Sequence, residues 1–210
     1  MKKVLVIGGG GHAKVVISLL KKRDYTILGY LDPQDKGEIL GVKYLGTDKE
    51  LIKLAAQNPD CEAALGLGIM EPSAKRKQLI DALQDMGFQL PAIVSPHAIV
   101  NENVRLRAGV VICDGAVIGP GSEVGRGAII NTLASVDHDC LIADYAHIAP
   151  GATLCGGVTV GQNSIIGAGA TVIQYKHVAD NCLIGAGATV VEDCTVAGKY
   201  LGCPAKMQRR

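Results

Sequence analysis

The chain of 210 residues has no tryptophan, one phenylalanine and six tyrosines, although hydrophobic residues make up 48% of it. Large rings therefore supply little of its buried area, and valine, isoleucine, leucine and alanine must fill the interior instead. An excess of charge is also missing: 21 Lys and Arg against 20 Asp and Glu leave a net charge of +1. That excludes the strong field that draws in nucleic acid. No apolar run approaches the roughly 18 residues of a membrane span. The opening MKKVLVIGGGG imitates a signal peptide, but its apolar run of about five residues ends in glycines rather than a cleavage site, so it reads as a first strand. The seven cysteines are odd in number and form no Cys-X-X-Cys pair. This argues against a disulfide framework and a zinc ribbon, and for a reducing cytoplasm.

What is abundant is glycine, 27 residues of it, together with a period of six. Steps of six from Val94 through Ile112, Ile130, Ile148, Ile166 and Ile184 to Val196 meet Val, Ile or Leu at all eighteen positions. Two residues earlier lies a small one, in the series Ala116, Ser122, Ala128, Ala134, Cys140, Ala146 and Ala152, with Lys176 as the exception. Six fits neither a helix nor a plain strand. It fits a parallel β-helix of hexapeptide repeats, in which each short strand buries one branched side chain. Three hexads close a triangular coil, and the array predicts six coils stacked at roughly 4.8 Å. Cys140, Cys182 and Cys194 take the small position and Cys113 and Cys155 follow the branched one, which makes packing their ordinary use.

Upstream the pattern alternates as βαβ units do. Strands are predicted over 3–7, 26–30 and 63–67, and helices over 12–22, from a cap at Asp48 through Leu51 and Leu54, and over 73–86. The chain thus divides into an α/β, Rossmann-like half domain over 1–92 and a β-helix with a C-terminal tail over 93–210; the first part is long enough for one mononucleotide-binding half. Its first turn, Gly8-Gly9-Gly10-Gly11-His12-Ala13, satisfies Gly-X-Gly-X-X-Ala between strand and helix, where free N–H groups suit a phosphate. Asp32 closes the second strand, where a carboxylate can meet a ribose hydroxyl or a sugar substituent. A nucleotide or nucleotide-sugar, a tight turn without ligand and a redox dinucleotide are the three readings of this turn.

Among the five histidines, His138 stands between Asp137 and Asp139. A carboxylate can fix the tautomer of such an imidazole and raise the basicity of its distal nitrogen, which suits a general base; a solvated surface triplet is the plain alternative. His147 lies half a coil further on and faces another side of the prism, so only facing sides of two prisms would bring both to one site. His97 and His177 default to the surface. Gly167-Ala168-Gly169-Ala170 and Gly185-Ala186-Gly187-Ala188 are separated by one full coil of three hexads and stack vertically. Either a thin ligand lies along that bare strip or tight corners simply favour glycine.

The hexad array with the terminal GCPAK resembles the left-handed β-helix acyltransferases that use acetyl-coenzyme A. GGGGHAK, Leu31-Asp32, the segment LGLG ending at Gly68, NTLASVDHDC and AHIAPGA are similar to the sialic acid O-acetyltransferase-like bacterial sugar acetyltransferases, and nearest to the N-acetyltransferases of nucleotide-linked 4-amino-sugars. The left hand comes from this resemblance alone, since parallel crossovers are ordinarily right-handed.

By matching motif the resemblance implies His138 as general base and Asp139 as its acidic support, with Asp137 as the other candidate because Asp stands where the family often has Glu. It implies acetyl-coenzyme A contacts at His147, Gly156, Ala168 and Ala186, and a nucleotide-sugar pocket at Gly10, Gly11, His12, Asp32 and Gly68. It further implies a cytoplasmic homotrimer with sites between subunits, no resident metal, and no nucleic-acid or membrane partner. The direct transfer needs no covalent enzyme intermediate. O-acetylation of sialic acid or another sugar hydroxyl, a zinc site of histidines between chains and a non-catalytic trimeric scaffold are the rival readings.

Overall fold

A computed structural model of the chain describes residues 2–208. Strands β1 (Lys2–Ile7), β2 (Tyr25–Leu31), β3 (Tyr44–Gly46) and β4 (Glu62–Leu65) form a parallel sheet of order β3-β2-β1-β4. Helices α1 (Gly11–Lys21), α2 (Leu51–Gln57) and α3 (Lys75–Asp85) connect and cover it. Helix α1 buries Ala13, Val16, Ile17, Leu19 and Leu20, the three-and-four spacing of one helical face. The expected start of the second helix at Asp48 is displaced by one residue. Thr47 is the cap, its Oγ1 accepting from the Lys49 N–H at 3.4 Å, and a 3-10 turn over Asp48–Glu50 precedes α2. β3 carries no alternation long enough to be seen in the sequence; pairing with Tyr30 and Leu31 of β2 makes it a strand.

From Ile93 onward two-residue strands recur every six residues, and each pairs in parallel with its counterpart one coil away. They line three faces. The first begins at Ile93–Val94 and includes Val111–Ile112, Ile129–Ile130, His147–Ile148, Ile165–Ile166 and Leu183–Ile184; the second includes Ser135–Val136 and Thr153–Leu154, and the third Leu141–Ile142 and Thr159–Val160. The second residue of each pair points inward, so Ile112, Ile130, Ile148 and Ile166 meet Ala116, Ala134, Cys140 and Ala152 in one continuous aliphatic core. Such a narrow interior has no room for rings, and the lone Phe88 is buried in the N-terminal part instead.

The period of six ends before Val196, which is 55% exposed. The last coil is cut short by two positions: Cys194 bridges to Val178 and Tyr200 pairs with Ile184, where the unbroken period would have brought Val196 and Gly202 to those partners. Cys194 therefore takes the place expected of Val196, and Tyr200 caps the core. Between strands the chain turns on a second ruler. Every sixth residue from Asn103 to Gly187 has a positive φ, including Leu133, Asp139, Tyr145 and Tyr175 among glycines and asparagines. This is the left-handed backbone region that branched and bulky side chains disfavour.

The first face is covered by the chain's own N-terminal part. Outward-pointing Ile93, Val111 and Cys113 pack with Val4, Val6, Val16 and Ile17, and Ile69 packs on Ile129 and Ile165. Tyr145 reaches into the cluster of Ile80, Leu83 and Phe88. No helix among the described residues is long and apolar enough to cross a membrane.

Candidate functional site

His138 sits in the turn between the second and third faces, half-exposed, and Asp139 beside it is the left-handed corner residue, with φ 55°. That backbone swings the Asp139 carboxylate back onto the ring. His138 Nδ1 lies 2.9 Å from Asp139 Oδ2, so Nδ1–H donates to the carboxylate and Nε2 carries the free lone pair. Asp137 acts on the backbone instead: its Oδ1 accepts the His138 N–H at 2.7 Å. The shorter Asp thus reaches the ring nitrogen without help from Asp137. The hydrogen bond that His138 donates to Asp139, with the Asp137 charge adding to it, holds His138 above the usual imidazole value.

One coil above His138 stands Gly156. A Cβ at that position would overlap the imidazole, with Nε2 its nearest atom. Only glycine leaves the basic nitrogen in contact with the main chain there. Gly157 N–H donates to His138 O at 2.9 Å and Tyr175 N–H to Gly156 O at 2.9 Å, while the Gly156 N–H has no partner among the described residues. His138 Nε2 thus lies against the Gly156 residue, whose N–H is unspent among the described residues; a base and a free donor are the two groups that proton removal and oxyanion stabilisation require.

His147 has a different setting. It lies on the first face, 9% exposed, at 2.9 Å from Ile69 O through Nδ1 and 3.0 Å from Asn131 Nδ2 through Nε2. The carbonyl accepts Nδ1–H and the amide donates to Nε2, so the ring is neutral and both nitrogens are spent. Burial lowers its pKa; the Ile69 carbonyl opposes the shift and the Arg76 charge adds to it. Within one chain the structure does not bring His147 and His138 together.

The corner strip is present. Ala168, Gly169, Ala186 and Gly187 are exposed, and a Cβ added at Gly151, Gly169 or Gly187 would meet nothing within 4 Å. The strip is thus open to a flat, extended ligand such as the pantetheine arm of coenzyme A.

In the N-terminal part, Gly10 caps α1 without a side-chain bond, and Gly10 and Gly11 have open space above them. With Lys14 and Lys36 they border a cleft of ≈ 490 Å³; neither lysine stands out in the sequence. Asp32 braces this turn, its Oδ2 accepting Gly9 N–H at 2.8 Å and Oδ1 accepting Gln34 N–H at 2.9 Å. Each oxygen keeps a lone pair for a hydroxyl. His12 lies under Gly68, where an added Cβ would come within 3.2 Å of its own. Burial first, then the Arg76 charge and the neighbouring His147 ring, lower its pKa to about 3. A cleft of ≈ 630 Å³ runs from Leu67 to Arg76 alongside.

The comparisons with known proteins agree in kind. Residues 3–83 match the PglD N-terminal domain and residues 139–174 the bacterial transferase hexapeptide family, six repeats. UDP-N-acetylbacillosamine N-acetyltransferase of Bacillus subtilis is 33% identical over 114 residues, 53% of this chain and 51% of that enzyme, so the alignment spans about half of each. The structure of GDP-perosamine N-acetyl transferase from Caulobacter crescentus, a histidine-to-alanine variant with CoA and GDP-perosamine, superposes with a TM-score of 0.95 at 36% identity, covering 100% of this chain and 98% of that one. The acetyltransferase domain of PglB from Neisseria gonorrhoeae, in complex with acetyl coenzyme A, gives 0.90 at 34% identity with 99% of both chains covered.

Proposed function

The chain belongs to the acetyl-CoA-dependent sugar acetyltransferases that join a PglD N-terminal domain to a left-handed β-helix of hexapeptide repeats, and from that premise we propose that it N-acetylates a nucleotide-linked 4-amino-sugar. The observation that carries the mechanism is the corner at His138: an imidazole oriented by Asp139, its Nε2 against Gly156, and the Gly156 N–H unspent.

His138 Nε2 takes a proton from the sugar amine as its nitrogen bonds to the thioester carbonyl carbon. Asp139 holds the ring in the required tautomer and stabilises the imidazolium that forms. The Gly156 N–H accommodates the negative charge on the carbonyl oxygen. When the carbon–sulfur bond breaks, the proton held at Nε2 is available to the departing thiolate. Ala168 and Ala186 hold the donor's pantetheine arm through their peptide groups. His147, with both nitrogens already bonded, meets the donor as a neutral wall rather than as a proton carrier.

The acceptor's diphosphate lies over Gly10 and Gly11 at the start of α1, where the helix N-terminus and Lys14 favour negative charge. Asp32 bonds a hydroxyl of the nucleotide with its remaining lone pairs, and His12 and Gly68 line the way toward the β-helix. The enzyme works in the cytoplasm as a homotrimer with sites between subunits: Leu141 and Tyr175 remain exposed beside the His138 corner, and a neighbouring prism would cover them.

The test is thiol release from acetyl-CoA with nucleotide-linked 4-amino-sugars, free sialic acid and simple amines as acceptors. Turnover confined to the nucleotide 4-amino-sugars is expected. Turnover confined to sialic acid would replace the reading by O-acetylation, and failure to bind acetyl-CoA would replace it by a scaffold.

A further inference from the structure

Arg76 is the largest fully buried side chain among the described residues, 2% exposed, and no carboxylate among them bonds to it. Its Nε donates to Gly127 O of the β-helix at 2.7 Å and its Nη1 donates to Leu67 O; Nη2 is buried with no partner among the described residues. Burial alone pushes its pKa down to about 10, with no acidic group to offset it. His12 Nε2 beside it is likewise buried without a partner. For stability this is a poor device. A buried ion pair can often be exchanged for apolar side chains without loss of stability, and here the guanidinium bears its desolvation with two carbonyls and no opposite charge to offset it.

Its bonds show what it does instead. Leu67, Gly68 and Ile69 form one short run between β4 and α3, and each is tied to a different group: Leu67 O to Arg76, Gly68 to the flank of His12, Ile69 O to His147 Nδ1. The guanidinium spans from this run to Gly127, two residues before the strand Ile129–Ile130 on which Ile69 packs. Its rigid fork of donors can hold a carbonyl on each side of the junction at once.

We propose that Arg76 is a positioning residue that sets the 67–69 run against the β-helix, and thereby fixes the acceptor pocket at Gly68 and His12 and the donor-side ring of His147 in one relative geometry. The inference rests on the reading above that acceptor and acetyl donor meet across this junction. Arg76 touches neither. It acts through Leu67 and Ile69.

The experiment compares full-length wild type, Arg76→Met and Arg76→Lys. Arg76→Met is expected to keep the wild-type fold and oligomeric state with only a small change in Tm, because relief of the buried charge offsets the two lost carbonyl bonds. Its KM for the nucleotide amino-sugar and for acetyl-CoA should each rise about tenfold or more, with a smaller change in kcat. Arg76→Lys, which can hold one carbonyl but not both, is expected to fall between. A residue with only a structural role would lower Tm and the active fraction and leave both KM values alone, and that result overturns the proposal. If Arg76→Met fails to fold, unchanged KM values in Arg76→Lys overturn it equally. Calorimetric titration of each protein with CoA alone supplies a readout independent of the acceptor: weaker CoA binding in the variants supports the proposal, and unchanged binding together with unchanged KM values defeats it. Failure of the functional reading shows separately, as a wild type that binds CoA but is inactive on nucleotide amino-sugars.

Discussion

The β-helix corner at His138 and the buried junction of His12, Arg76 and His147 use the same kinds of side chain to opposite ends. At the corner a half-exposed imidazole leans on one carboxylate and its pKa rises. In the junction two imidazoles are shut away from water with a cation for company, and both pKa values fall. The first can accept a proton near neutral pH and the others cannot. The difference teaches that the exposed turn raises the proton affinity of its imidazole while the buried interface lowers that of both of its own, so the turn suits proton exchange and the interface a fixed, neutral shape.

Removing the base gives the largest expected effect. His138→Ala should lower kcat/KM by about 10²–10⁴-fold, the usual worth of such a base, with Tm and oligomeric state unchanged; turnover within a few fold of wild type would end the assignment. Asp139→Asn comes next. Asparagine tolerates the left-handed corner, so the fold is expected to persist while the carboxylate's support of His138 is lost. A base works only when neutral, and the raised pKa places the acid limb of kcat/KM above the usual imidazole value. In the variant that limb should move to lower pH and the plateau rate should fall about tenfold. An acid limb that stays in place would hand the role to Asp137.

The smallest expected effect concerns the junction. His12 binds a proton more weakly folded than unfolded, so between its unfolded value near 6.5 and its folded value of about 3 the unfolded state holds more protons. Its contribution to stability is complete above pH 6.5 and is lost as pH falls toward 3. Unfolding free energy measured at fixed protein concentration should therefore decline by up to about 1.4 kcal/mol per pH unit on this account, and His12→Gln should flatten the decline. The same slope in the variant would mean that His12 is not held neutral by burial.

Much of this is open to reading from the residues. A ruler of branched side chains announces a parallel β-helix because nothing else buries one residue in six for a hundred residues, and Gly-X-Gly-X-X-Ala after an apolar strand announces the turn at α1. The second ruler is half hidden. Glycine and asparagine mark left-handed corners, but Leu133, Tyr145 and Tyr175 adopt the same backbone because the closed coil leaves the sixth position no alternative.

His147 does face another side of the prism from His138, as expected, but the sequence does not show that the chain's own N-terminal part covers that side. Period and spacing reveal three faces but not which one the N-terminal part occupies, and that is decided by Ile69 meeting Ile129 and Ile165. Arg76 does carry a signal in its position. It stands four residues before Ile80 and seven before Leu83, on the stripe α3 buries, while its neighbours in the Lys75-Arg76-Lys77 run conceal it among ordinary surface charges.

The two-residue slip in the last coil bears on how such a molecule can change length. Below it, a gain or loss of six residues would turn everything downstream by one face, carrying Ile165 off Ile69 or, between residues 138 and 156, Gly156 off His138; other lengths would take the downstream branched side chains out of the register of six. Only whole coils of three hexads can be added or removed there without altering what each neighbour meets. The slip at Cys194 lies beyond all of those contacts. The upper end of the β-helix is therefore where a departure from the register of six leaves those contacts in place.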